Sequence, residues 1–406
     1  MQLNEKQQEF LALEKKSKSK FIGLFGAGGT GKTTVIKSLK GRVAFTAPTN
    51  KAVQVLRDSG CPDCMTVYQF FGLKVNEAEG NLTIDPKGQD CQQNFDTLVV
   101  DETSMNNEQI YAYIAGTSVK RVVLMGDTHQ LPPVGEVRSK TFELVENCSV
   151  TLTQQMRQTN EENPLLSVLG NLRRAIDDNK KISFPSKSSQ VVAEDGKKNG
   201  FVITNDRSKF NLWIKKVFER GDDNCAVIAF RNKRVDEINH AVHEFIYPKG
   251  TAYCVGERVI FQKSFYDKDD NPLAMNGEDI LITTLEETVE TVECAGSIKC
   301  LLLNRKFLVP CDRNKHLDFI NRIADSIKRK ERNALKWKDF YRIRDTFCDI
   351  RHAYCMTSYK CQGSTFDDVF VDAVDIKSIP QASQKTINQH LYTALSRARH
   401  NAIILV

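Results

Sequence analysis

No stretch of this chain approaches the run of roughly 20 apolar residues that a membrane-crossing helix needs. Its start, Met1-Gln2-Leu3-Asn4-Glu5-Lys6, is polar where a secretory leader carries an apolar core. The chain is therefore expected in the cytosol and away from membranes. Cysteines number 12 but are scattered, and the one tight pair, Cys61-Pro62-Asp63-Cys64, has no second pair at zinc-ribbon spacing. It reads as a turn with two thiols among reduced cytosolic cysteines. Proline and glycine are modest, at 11 and 22 of 406 residues, and no segment is of low complexity, which excludes a disordered or fibrous chain. Nor is there a strong charge of one sign, since the net is only +6. That small excess is local: residues 313–351 hold 12 Lys or Arg against 6 Asp or Glu, so the rest of the chain sums to zero. Such a concentration is either a footprint for phosphates or the solvated face of a helix.

Short apolar runs alternate twice with helical patterns. The first series is Phe21–Phe25, Val43–Phe45, Leu98–Val100 and Val122–Met125; the second is Ala226–Phe230, Val369–Val371 and Ile403–Val406. Apolar runs of this length, separated by helices, indicate parallel strands buried on both faces. The expected fold is α/β with two tandem parallel-sheet domains. Segments 1–74 and 95–160 form the first domain, and 161–247 and 351–406 form the second. Turn residues between short strand-like pieces at 75–94 predict a hairpin inserted in the first domain. Residues 248–350 predict a β-rich insertion with a basic helical appendage in the second.

The strongest chemical signal is Gly26-Ala-Gly28-Gly29-Thr30-Gly31-Lys32-Thr33-Thr34, a G-x-x-x-x-G-K-T loop between an apolar strand and a helix. Its glycines let backbone N–H groups wrap phosphates at a helix N-terminus. Lys32 places a point charge at the β- and γ-phosphates, and Thr33 offers a hydroxyl to Mg²⁺. The chain is thus expected to bind a nucleoside triphosphate. Thr97-Leu-Val-Val-Asp101-Glu102 ends a buried strand in adjacent carboxylates. Asp101 suits Mg²⁺ and Glu102 suits polarising the attacking water, which favours hydrolysis over mere retention of the nucleotide. A third strand ends in Gly126-Asp127-Thr-His-Gln130-Leu-Pro-Pro-Val-Gly135, where the uncharged Gln130 is a candidate γ-phosphate sensor.

These motifs, together with Ala47-Pro48-Thr49-Asn-Lys-Ala52, Thr357-Ser-Tyr359-Lys360-Cys-Gln-Gly363-Ser-Thr365 and Leu391-Tyr-Thr-Ala-Leu-Ser-Arg397-Ala-Arg399, resemble the RecD-like superfamily 1B DNA helicases. They run from residue 3 to residue 399 in the family's order. The compact length is that of its phage-encoded branch, for which the location would be the host cytosol. The resemblance implies two RecA-like domains, an SH3-like character for the β-rich insertion, and ATP with Mg²⁺ as cofactors. It implies that Gln7, in Leu3-Asn-Glu-Lys-Gln7, reads adenine. Arg157, in Thr151-Leu-Thr-Gln-Gln-Met-Arg157, and Arg397 would be arginine fingers, and Gly363 would lie at the nucleotide. DNA contacts would fall to Pro48, Thr49, Thr66, Tyr68, Asn232, Lys233, Thr357, Tyr359 and Lys360. Hydroxyls, amides and a lysine suit a phosphate backbone, which positions a strand without reading its sequence. Tyr68 and Tyr359 stand where the family commonly has His, though tyrosine can still stack on a base. The hairpin would be a pin that splits duplex, with Leu82 and Ile84 as its apolar candidates.

The function this implies is an ATP-dependent helicase translocating 5′ to 3′ on single-stranded DNA and unwinding forked duplex, as a monomer, with replication or recombination proteins as open partners. Three rivals are weighed. Gln130-Leu-Pro-Pro-Val-Gly135 argues against a superfamily 1 RNA helicase. The Asp101-Glu102 pair and two candidate fingers argue against a nucleotide-dependent binding switch. Asp101-Glu-Thr-Ser-Met105 lacks the Asp-Glu-Phe-Gln-Asp of superfamily 1A.

Overall fold

The computed structural model describes residues 3–75, 82–85, 88–154, 163–192, 196–221, 224–267, 272–331 and 334–406. Residue contacts divide the chain into two compact units, one of residues 1–212, 223–234 and 356–406, the other of 213–222 and 235–355.

The first unit contains two six-stranded sheets. In the first sheet the strands lie in the order Cys64–Thr66, Val43–Ala47, Thr97–Val100, Arg121–Gly126, Phe21–Gly26, Ser149–Leu152, and every neighbouring pair is parallel. Side chains alternate between its faces, as a strand requires. Ile22, Leu24, Val99 and Val123 join the helices Glu5–Lys16 and Asn50–Asp58 on one face. Phe25, Leu98, Val100, Val122 and Leu124 pack with Ile110 and Ile114 of the helix Glu108–Gly116 on the other. Burial on both faces explains why the four central strands are almost entirely apolar, whereas the edge strand Ser149–Leu152 alternates. After the edge strand Cys64–Thr66 and the short helix Val67–Phe70, the short strands Leu73–Val75 and Leu82–Ile84 pair antiparallel, Leu73 against Ile84. The expected hairpin at 75–94 falls partly outside the described residues.

The second sheet has the order Cys355–Thr357, Cys225–Ala229, Phe366–Asp372, Ala398–Leu405, Lys198–Thr204, Ser189–Val192. Its central pairs are parallel and Ser189–Val192 is an antiparallel edge strand. Leu165, Val168, Leu172 and Ile176 of the helix Leu165–Asp177, with Leu391, Ala394 and Leu395 of the helix Gln384–Leu395, cover it. Both sheets fall in one contact unit because the Gln384–Leu395 helix also bonds the loop that follows the first sheet's fourth strand.

The second unit is β-rich. Asp279–Leu281, Arg258–Phe261 and Ile350–His352 form one antiparallel sheet, and Leu285–Val292, Gly296–Leu303 and Phe307–Pro310 form a meander. Asp312 caps the helix Arg313–Lys328 by accepting from the N–H groups of Asn314 and Lys315, worth about 1 kcal/mol. That helix buries Phe319 and Ile323, packed with Phe340 of the helix Trp337–Arg344, and leaves its basic residues outside. The unit takes in more than the insertion expected at 248–350, including 235–247 and 351–355. Among the described residues, no helix is long and apolar enough to cross a membrane.

Candidate nucleotide and nucleic-acid site

Gly26 ends its strand at φ 154°, where a Cβ would stand 2.7 Å from both the Leu152 carbonyl oxygen and Thr30 Oγ1. Gly29 and Gly31 are left-handed, at φ 85° and 84°, and the turn they make delivers Lys32 to the first position of the helix Lys32–Ile36. Lys32 Nζ donates to the carbonyls of Gly26 at 2.8 Å and Ala27 at 3.0 Å, so its charge lies across the mouth of the loop. Thr33 and Thr34 follow it on the same helix. Gly28 sits 4.0 Å, measured from an added Cβ, from the carbonyl of Ser396 in the second α/β half. Gln7 is 2% exposed and attached to this loop: its Nε2 donates to the Thr30 carbonyl at 3.4 Å. Its Oε1 accepts from Asn4 N–H at 3.0 Å, completing a capping box that starts the first helix. Both ends of the amide expected to read adenine are thus engaged in holding helix and loop together.

Asp101 and Glu102 stand at the C-terminal end of the strand Thr97–Val100, which Arg121–Gly126 separates from the phosphate-loop strand Phe21–Gly26. Burial, with Glu102's charge adding to it, pushes the Asp101 carboxyl up to about 7 despite the opposing charge of Lys32. Two carboxyls this close favour a cation between them and the phosphates, which is the fit expected of a Mg²⁺ site. Glu102 adopts φ 49°, a left-handed conformation that costs a non-glycine residue of order 1–3 kcal/mol and re-aims its side chain. Gln130, 5% exposed, lies between the two α/β halves. Its neighbours orient its amide: the nitrogen donates to Glu102 Oε2 at 3.2 Å and the oxygen accepts from Arg397 Nη2 at 2.8 Å. Lys32, Asp101, Glu102, Gln130 and Arg397 are therefore brought together. Arg157 lies outside the described residues.

The residues expected at DNA have mixed surroundings. Thr49 and Thr66 use their hydroxyls as helix caps, accepting from Ala52 N–H at 3.2 Å and Gln69 N–H at 3.1 Å. Pro48 precedes the first of these caps and is half-buried. Tyr68 and Tyr359 are half-buried, and burial pushes both phenols above their ordinary value. Asn232 and Lys233 are exposed at the start of the helix Asn232–Ile246, and Lys360 is exposed after Thr357, whose hydroxyl accepts from Lys360 N–H at 3.3 Å. Gly363, at φ 75°, faces the first half rather than open space: an added Cβ would meet Ala52 Cβ at 3.1 Å.

Two clusters have no contiguous signature. Asp127, 1% exposed, accepts from the Tyr392 hydroxyl at 2.5 Å and lies 3.8 Å from Arg173 Nη2. In the second unit, Glu257 Oε1 accepts from Tyr354 OH at 2.9 Å and lies 3.0 and 2.7 Å from the Nδ1 atoms of His243 and His352. Glu257 Oε2 accepts from Cys254 N–H at 3.1 Å, and His243 Nε2 lies 2.9 Å from the Thr251 carbonyl. Ligand atoms of His243, Glu257 and His352 all lie within 4.8 Å of one another, but these separations are those of hydrogen bonds, closer than roughly 3.3 Å between donors around a zinc ion bonded at about 2.0 Å. Burial alone would raise the Glu257 carboxyl, yet bonds from His243 and His352 hold it at about 2, and the same carboxylate raises His243. The cluster is a buried hydrogen-bonded network centred on one carboxylate.

The AAA domain family pattern matches residues 2–183, and that of the UvrD-like helicase C-terminal domain matches residues 352–405. The chain is 22% identical to the ATP-dependent DNA helicase dda of Enterobacteria phage T4, over 95% of this chain and 94% of that protein. It is also 22% identical to an uncharacterized protein of Acanthamoeba polyphaga mimivirus, over 93% and 94%. A Bacteroides Pif1 helicase solved with ADP-AlF3 and ssDNA has a TM-score of 0.52 at 17% identity, covering 99% of this chain and 92% of that one. A structure of two coordinating Pif1 helicases at forked dsDNA gives 0.52 at 18% identity, over 100% and 92%. At that identity the likeness is one of fold.

Proposed function

We infer that this chain, which belongs to the superfamily 1B helicases and is an ATP-dependent DNA helicase, tracks 5′ to 3′ along single-stranded DNA and separates the duplex ahead of it. The observation that carries this reading is the bridge Glu102–Gln130–Arg397, in which one amide touches the hydrolytic carboxylate of the first half and the buried arginine of the second. A γ-phosphate bound at Lys32 is reported to both halves at once, so hydrolysis alters their grip on each other. In this scheme Glu102 polarises the attacking water, Gln130 senses the γ-phosphate, and Arg397, with Arg157, neutralises charge that develops on the transferred group. Asp101 and the Thr33 hydroxyl would hold Mg²⁺, which neutralises phosphate charge when bound. Gln7 acts by fixing the phosphate loop and, once displaced from Thr30, offers its amide to adenine.

The nucleotide is assigned to the cleft between segments 1–74 with 95–160 and segments 161–247 with 351–406. DNA is assigned to Pro48, Thr49, Thr66, Tyr68, Asn232, Lys233, Thr357, Tyr359 and Lys360. Ile84, on the hairpin strand Leu82–Ile84, is 77% exposed, as an apolar edge that replaces lost base stacking must be. The protein acts as a cytosolic monomer on forked DNA.

The deciding experiment is unwinding of otherwise identical duplexes carrying a 5′ or a 3′ single-stranded tail, with ATP and Mg²⁺. The 5′-tailed duplex should be opened and the 3′-tailed one left intact. Opening of the 3′-tailed duplex alone would reverse the polarity, and opening of neither would remove unwinding from the assignment.

A further inference from the structure

The helix Gln384–Leu395 is buried continuously from Ile387 to Leu395, and five of those nine residues are polar: Asn388, Gln389, His390, Tyr392 and Thr393. Polar groups are buried at this density only where they have partners. Asn388 donates to the Lys180 carbonyl at 2.7 Å, and the partners of the other four belong to two functional segments. Towards the first sheet, Gln389 Nε2 donates to the Gln130 carbonyl at 3.2 Å, and Thr393 Oγ1 accepts from Leu131 N–H at 3.1 Å. The Tyr392 hydroxyl donates to Asp127 Oδ2 at 2.5 Å. Burial and Asp127's charge keep the Tyr392 phenol protonated, and Asp127, despite burial, is held ionised by His129, Arg173, Lys32 and that hydroxyl. Gln130 thus sits in a loop clamped at 127, 130 and 131 by a single helix.

The same helix also reaches the segment Thr357–Lys360. Ser358 Oγ and His390 Nδ1 share a hydrogen bond of 2.7 Å, both fully buried, and the His390 ring meets Tyr359 edge-on with centroids 5.2 Å apart. Phe230 closes the other side at 5.1 Å. Burial holds the imidazole neutral, near 4, so it serves as a fixed hydrogen-bonding wedge rather than a charge. Gln362, just beyond this segment, donates to the Leu131 carbonyl at 3.3 Å and closes the circuit. His390 and Tyr392 are two residues apart, on different faces of one rigid helix.

We propose that this helix relays strand contact at Thr357–Lys360 to the Gln130 loop, with His390 and Tyr392 as the positioning residues on its two faces. The relay rests on the motor function argued above. A strand pressing on Tyr359 shifts the His390 ring, and the helix carries that shift to Asp127, Gln130 and Leu131, setting Gln130 against Glu102. Without DNA the loop keeps its resting geometry, so basal turnover does not depend on His390.

The test is ATP turnover of the full chain with and without single-stranded DNA, in wild type, His390→Leu, His390→Asn, Tyr392→Phe and the double variant His390→Leu/Tyr392→Phe. His390→Leu should keep basal kcat and the KM for ATP within about twofold while DNA-stimulated kcat falls about fivefold or more. His390→Asn, which can still bond Ser358 but has no ring against Tyr359, should regain part of the stimulation. Tyr392→Phe should lower kcat with an unchanged KM for ATP, and the double variant should lose no more than the worse single variant, as members of one pathway do. Full stimulation in His390→Leu overturns the relay, as does loss of basal turnover in both His390 variants or additive losses in the double variant. Wild-type turnover that DNA does not stimulate overturns the motor reading itself, so the two failures are distinguishable.

Discussion

Replacing Arg397 by Ala separates transition-state chemistry from binding and from stability. The guanidinium is 5% exposed and fully engaged. Nε donates to the Thr393 carbonyl at 3.1 Å, Nη1 to the Ser364 carbonyl at 3.4 Å, and Nη2 to Ser396 Oγ at 3.0 Å and the Gln130 amide oxygen at 2.8 Å. Truncation strands the Ser364 carbonyl and the Gln130 oxygen, while Thr393's carbonyl keeps a bond from the Ser396 hydroxyl at 3.0 Å. Each stranded buried acceptor costs about 1–3 kcal/mol, so the two together cost about 2–6 kcal/mol of folding stability. Loss of an arginine finger costs about 10³-fold or more in turnover, roughly 4 kcal/mol of barrier. The two effects are read in different measurements, stability in unfolding and barrier in turnover, so the folded variant should bind ATP nearly normally and hydrolyse it poorly. Arg397→Lys should recover little, because one ammonium cannot serve the carbonyls and Gln130 together. Steady-state kcat and KM with saturating single-stranded DNA, beside equilibrium nucleotide binding, give the answer. An unchanged kcat with only a raised KM would refute the reasoning, since it would make Arg397 a ground-state contact.

With Mg²⁺ held at Asp101 as proposed, the raised carboxyl, near 7, would make Mg²⁺ use pH-dependent: at lower pH the group holds a proton that the cation must displace. The Mg²⁺ concentration giving half-maximal ATP turnover should fall up to about tenfold per pH unit as pH rises from 6 and then level off above 7, and a flat profile from pH 6 to 8 contradicts the assignment. Glu257→Gln should destabilise the β-rich unit by about 3–5 kcal/mol, read by urea unfolding at pH 6, because it leaves buried imidazoles without their carboxylate. In the wild type, Glu257's contribution is present above its ordinary 4.5 and fades towards about 2, whereas that of His243 is present below 6.5 and fades as pH climbs through its raised value. The Gln variant should flatten both slopes, and unaltered slopes would place the linkage elsewhere. Replacing residues 77–90 by a Gly-Ser turn should leave DNA-stimulated hydrolysis intact and reduce unwinding of tailed duplex sharply; wild-type unwinding would show that the hairpin is not the pin.

What the sequence determined by itself is whatever depends on neighbouring residues. A phosphate loop needs glycine at positions of positive φ and a lysine at the first helical turn, so Gly26 to Thr33 announces itself in eight residues. The four central strands of the first sheet were legible because burial on both faces makes them almost entirely apolar, whereas the edge strands Cys64–Thr66 and Ser149–Leu152, partly exposed and mixed in polarity, were not. Asp101-Glu102 was legible as adjacent acids at the end of such a central strand. The gathering of Glu102, Gln130 and Arg397 could be named only through resemblance, since no spacing law joins residue 130 to residue 397. Tertiary structure alone decided that Tyr392 bonds Asp127, 265 residues away, and that His243, Glu257 and His352 share one buried carboxylate. It also decided that Gln7 spends its amide on the phosphate loop, 23 residues away, whereas the caps made by Thr49 and Thr66 are local, each accepting from an N–H three residues on. The reason is the range of the forces. Backbone conformation and capping act over a few residues and leave a readable pattern, whereas a buried polar group takes whichever partner the packing of distant helices and strands brings within about 3 Å.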